Sequence, residues 1–175
     1  ARELQEETGI GGLYLEQLYT FGDLDRSVAA SRRDLSIGYV ALAGETATDA
    51  DARWVDVYDL FPWEDHRSGV PRLLTDHLGP LLDDWVGDDA TRAARERITF
   101  GAGAPWDPIR VLERYELLYE AGLVGEAGSN DPSTGLQLHG DHRRIAATAL
   151  GRLRGKLTYR PVIFEVMPDL FSLTH

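Results

Sequence analysis

Apolar positions along this chain fall into two regimes. Up to about residue 60 they form short runs rich in β-branched and aromatic residues, and beyond residue 70 they recur at three- and four-residue intervals. In the first regime Leu13–Phe21 (LYLEQLYTF) predicts a strand and Leu35–Leu42 (LSIGYVAL) a buried strand. The alternation of Arg53–Leu60 (RWVDVYDL) predicts a third, broken by Phe61-Pro62-Trp63. Ala1–Ile10 differs: strong helix formers followed by Gly9 predict the last two turns of a helix. In the second regime Arg72–Val86 predicts a helix interrupted or kinked near Pro80, and Asp89–Phe100 a charged, amphipathic one. Asp107-Pro108 predicts a helix start, with Asp107 at the N-cap and proline in the first turn. The stripe Val111, Leu112, Tyr115, Leu118 and Tyr119 then runs to Gly122. Gly125–Gly140 predicts a loop, and Asp141 caps a helix whose Ile145, Ala149, Leu153 and Leu157 recur every fourth residue. Tyr159–Met167 predicts a short extended segment. Strands first and helices afterwards predict an α+β layered fold.

Composition narrows the function classes. With 175 residues, 43% of them hydrophobic, the chain has material for one domain with a real core, or one domain plus a fragment of a second. Asp and Glu number 29 against 18 Lys and Arg, a formal charge of −11, which argues against unaided binding to duplex DNA or anionic lipid. No cysteine occurs, which excludes disulfides, thiolate metal sites and cysteine nucleophiles. No apolar run approaches the roughly 20 residues needed to span a bilayer, and no signal peptide is present. No membrane association and a cytoplasmic location are therefore expected. The chain opens within a helix and stops at Phe171-Ser172-Leu173-Thr174-His175, where another element would begin, so an excerpt of a longer protein is expected.

The sharpest chemical feature is Glu3, Glu6 and Glu7. Offsets of three and four put their carboxylates on one helical face, with Arg2 one turn from Glu6. Three converging carboxylates repel unless a cation sits among them, and hard oxygen ligands favour Mg²⁺ or Mn²⁺. On spacing alone a solvated acidic face is the commoner outcome. Residue identity adds to this. Arg2-Glu3-Leu4-Gln5-Glu6-Glu7-Thr8-Gly9-Ile10 resembles the second half of the Nudix box, Arg-Glu-(aliphatic)-x-Glu-Glu-x-Gly-(aliphatic), at every defined position.

The resemblance implies that Glu3, Glu6 and Glu7 are metal ligands or base, that Arg2 orients them and that Gly9 makes the turn. The chemistry it implies is metal-assisted attack of water on the diphosphate of a nucleoside-diphosphate derivative. The first half of the box, with its leading glycine and glutamate, and the strands before it would precede residue 1, so these 175 residues alone are not expected to form a competent hydrolase. Further segments are similar to the Nudix-related transcriptional regulators of NAD metabolism, especially the alphaproteobacterial group. They are Tyr19-Thr20-Phe21-Gly22-Asp23, Ser36–Leu42, Phe61–Asp65, Val111–Val124, Asp141–Ile145 and Leu153–Pro161. This resemblance implies a partial Nudix α/β/α sandwich, a mixed sheet with helices, over residues 1–168. Residues 169–175 would begin a winged helix, Phe171-Ser172-Leu173 standing at a junction where Ser172 replaces the usual threonine. It implies an NAD-derived nucleotide such as ADP-ribose as ligand, a homodimer, and DNA contact only through the absent winged-helix module.

Other candidates carry two readings each. Arg143, Arg144, Arg152, Arg154, Lys156 and Arg160 make 139–160 a basic island, either for phosphate contact or for salt bridges to the acidic remainder. Arg32 and Arg33, in a polar loop with Asp23, Asp25 and Arg26, are candidate ligand contacts, although solvated loops are commoner. Trp63, beside Pro62 and Glu64, is a candidate stacking surface for a nucleobase, with a core or loop anchor as the commoner role for all four tryptophans. His139 and His142 have a His-x-x-His spacing but no convincing third zinc ligand. No Ser-His-Asp arrangement or glycine-rich phosphate loop is supported.

Overall fold

A computed structural model describes residues 14–22, 35–43, 54–101 and 105–165. The helical end expected at Ala1–Ile10, the loop expected around Arg32 and Arg33, and the junction expected at Phe171–Leu173 lie outside the described residues. The chain divides into two compact units, one of residues 1–54 with 152–175 and one of residues 55–151. Helices and a small sheet make it a mixed α+β protein.

In the first unit β1 (Tyr14–Phe21) pairs antiparallel with β2 (Ser36–Leu42), Tyr14 opposite Leu42 and Phe21 opposite Ser36. Both strands fall where β-branched and aromatic residues predict them, but β2, expected to be buried, leaves Ile37 and Tyr39 exposed. The pairing shifts register between Gln17 and Tyr19, a bulge-like irregularity. Leu18 and Gly38 are buried while Leu15, Gln17, Tyr39 and Ala41 are exposed, the period of two that a half-buried strand requires. This two-stranded ladder is the sheet among the described residues. The predicted extended segment at Tyr159–Met167 is corrected for its described part: Val162–Glu165 is a 3₁₀ turn. Pro161 stands just ahead of it, with its carbonyl accepting from Phe164 N–H at 3.2 Å. Proline fixes φ and cannot donate to a strand ladder.

The second unit is helical. It holds α1 (Val57–Leu60), a 3₁₀ turn at Pro62–Glu64, a π-helical turn at Leu73–Leu78, α2 (Gly79–Val86), α3 (Ala90–Phe100) and α4 (Val111–Glu120). Two 3₁₀ turns, Gly125–Ala127 and Pro132–Thr134, lie within the predicted loop, and α5 (His142–Leu157) follows. The expected third strand is corrected here, since residues 57–60 are helical. The Asp56 carboxylate accepts from Tyr58 N–H at 2.8 Å, which caps a turn, while Trp54 and Val55 stay exposed. The predicted interruption near Pro80 takes the form of the π turn, closed by Gly79 N–H bonding to Leu74 O. A proline ring crowds the carbonyl four residues back, and the wider turn relieves that. α3 has the predicted start and stop: Asp89 accepts from Thr91 and Arg92 N–H, and Gly101 ends the helix at φ 71°.

The core joins Phe61, Trp63, Leu78, Leu82, Val111, Tyr115, Leu117, Leu118, Val124 and Ala147. Two predicted details change. Asp107 caps the turn at 108–110, accepting from Ile109 N–H at 3.0 Å, and α4 itself starts only at Val111. On α5 the buried positions are Arg143, Ala147 and Gly151, not the predicted Ile145 stripe, and Leu157 is exposed. The four-residue period is present, but the other face turns inward. Gly151 makes that approach close: a Cβ there would lie 2.8 Å from Ile109 O.

Candidate functional site

Two arginines with no exposed surface organise the second unit. Arg114 lies on α4 within the apolar stripe, one turn from Val111 and Leu118. Its Nε donates to Glu64 Oε1 at 2.5 Å and its Nη2 to Glu64 Oε2 at 3.1 Å. Nη1 donates to the carbonyls of Thr99 and Asp107, both at 2.9 Å. The guanidinium carbon sits 3.8 Å from the centre of the Trp106 ring. The short turn that begins at Pro62 delivers Glu64, which is buried as completely as its partner. This is a bidentate pair with its Nη1 donors on main-chain acceptors, the kind of arrangement a buried cation requires.

Arg143 ties the start of the second unit to its end. Its Nε donates to Leu60 O at 2.9 Å, its Nη2 to Leu60 O and Thr134 O, and its Nη1 to Glu126 Oε2 at 3.1 Å. Phe61, Trp63 and Tyr115 ring centres surround the guanidinium at 5.6, 5.1 and 5.7 Å. Burial pulls the Arg143 guanidinium below its ordinary pKa and Glu126 opposes that; burial pushes the Tyr115 hydroxyl up. Glu126 also accepts from Leu138 N–H at 2.9 Å, pinning the loop. Gly135, at φ 87°, passes so close that a Cβ would lie 2.7 Å from Asp59 O.

In the first unit a polar cluster gathers on β1. Tyr14 donates its hydroxyl proton to Glu16 at 2.6 Å, and the Lys156 ammonium donates to Tyr14 Oη at 2.7 Å and to the Glu16 carboxylate. Arg152 lies 3.6 Å from Glu16 and donates to Leu18 O at 3.3 Å, and the Arg160 guanidinium stands over the Tyr14 ring at 5.8 Å. The Lys156 hydrogen bond, then that of Tyr14, holds the Glu16 carboxyl below its ordinary pKa, and Glu16 raises Lys156. Arg144 pairs with Glu116 at 2.5 Å. Four cations of the basic island (Arg143, Arg144, Arg152 and Lys156) thus face carboxylates of this chain, which is the salt-bridging reading.

Between α3 and α4 lies an open cavity of about 310 Å³. It is lined by Arg95, Ile98, Thr99, Arg110, Leu112, Glu113 and Glu116, and its exposed lining is mostly apolar. Arg95 pairs with Glu120 at 2.6 Å, Arg110 with Asp107 at 3.1 Å, and Thr99 donates to Arg95 O at 2.9 Å.

The predicted site residues Arg2, Glu3, Glu6, Glu7, Arg32 and Arg33 lie outside the described residues. Trp63 is described. It is fully buried, edge-to-face with Phe61 at 6.0 Å and beneath Arg143, so no ring surface is open for a nucleobase to stack on. Its Nε1 has no hydrogen-bond partner. Tyr115 is core as expected, whereas Tyr119 is 41% exposed and leaves the stripe. His139 and His142 meet edge-to-face at 6.2 Å, and His142 N–H donates to His139 O. Among the described residues no three His, Asp or Glu side chains are grouped to hold a metal ion, and no helix there is long and apolar enough to cross a membrane. The buried Arg114–Glu64 pair was not anticipated, although a cation inside the Val111–Leu118 stripe is the signal that would have found it. No family model matches this chain, and no curated protein matches it.

Proposed function

We propose that this chain is the ligand-sensing part of a Nudix-like regulator of NAD metabolism, binding ADP-ribose or a related NAD-derived nucleotide. The observation that carries the reading is the nine-residue run Arg2–Ile10, which meets the second half of the Nudix box at each defined position. In this reading the fold is a Nudix α/β/α sandwich. Glu3, Glu6 and Glu7 hold Mg²⁺ or Mn²⁺ against the diphosphate, Arg2 orients them, and Arg32 and Arg33 supply further ligand contacts. DNA contact falls to a winged-helix module that follows, and ligand occupancy shifts a homodimer between two states for which its affinity differs.

A second reading is favoured by the intact glutamates, which a pure sensor could lose without harm: a Mg²⁺-dependent pyrophosphohydrolase acting on ADP-ribose or a similar nucleoside-diphosphate derivative. Two assays on the intact gene product separate the readings. AMP released from ADP-ribose with Mg²⁺, and abolished in both Glu6→Gln and Glu7→Gln, establishes the hydrolase. Promoter binding in a gel shift that responds to NAD-derived nucleotides without turnover establishes the regulator. If calorimetry detects neither Mg²⁺ nor Mn²⁺ uptake, with or without nucleotide, both readings fail together.

A further inference from the structure

We draw no further inference here: the strongest candidate, the open apolar groove between α3 and α4 with Ile98 and Leu112 in its lining, is bordered by charges that the chain's own ion pairs engage, and nothing in the structure shows what covers it.

Discussion

Arg114 and Glu64 form a charged pair with no exposed surface, and each depends on the other for the cost of leaving water. Arg114→Met leaves a buried carboxylate without its cation, and we expect a loss of about 3–5 kcal/mol in urea unfolding. Adding Glu64→Leu should restore part of it, because the stranded carboxylate is gone while the Thr99 and Asp107 carbonyls still lack their donor. A single variant within about 0.5 kcal/mol of the parent would show that the pair is solvated in solution. At the surface Asp131 behaves differently. Hydrogen bonds from Ser133 and His77, the latter at 2.5 Å, hold its carboxyl down to about 2. A folded pKa below the unfolded value of roughly 3.9 gives stability that is full above about pH 4 and lost as pH falls towards 2. Urea midpoints for Asp131→Asn should therefore fall less steeply than those of the parent between about pH 4 and pH 2. Equal slopes in the two proteins would remove Asp131 from the acid response.

Helices in this chain announce their ends through short-range chemistry. Asp89 and Gly101 bracket α3 because the carboxylate accepts two orphan N–H groups and glycine takes the left-handed conformation at φ 71° without strain. Asp89→Ala should cost about 1 kcal/mol, read as a lower urea midpoint, and no change would mean that packing alone fixes this end. Inside α5 local propensity and tertiary packing disagree. Alanine is favoured over glycine by about 1 kcal/mol at an exposed helix position. At Gly151 the added Cβ would stand 2.8 Å from Ile109 O, and backbone does not yield cheaply. Overpacking of this kind costs about 1–3 kcal/mol, so Gly151→Ala should destabilise. A variant more stable than the parent would show that the helix can move aside.

Across the whole molecule the charge of −11 and the intramolecular pairing of Arg143, Arg144, Arg152 and Lys156 leave little cation to neutralise phosphate. These 175 residues by themselves should not retard duplex DNA in a gel shift at physiological salt, and salt-dependent retardation would overturn that assignment of the cations. The sequence by itself determined the two strands, the bounds of α3 and the four-residue period of α5. All of these are written in neighbouring residues, as propensity, capping chemistry or spacing along a few turns. Tertiary structure alone decided which face of α5 turns inward and that Trp63 lies under Arg143. It also decided that Arg114 and Arg143 are buried. Each depends on a partner far along the chain: Glu64 lies 50 residues from Arg114, and Leu60 lies 83 from Arg143. A cation can enter a core only when folding brings its acceptors to it, and no local pattern of hydrophobic and polar residues records where those acceptors will come from.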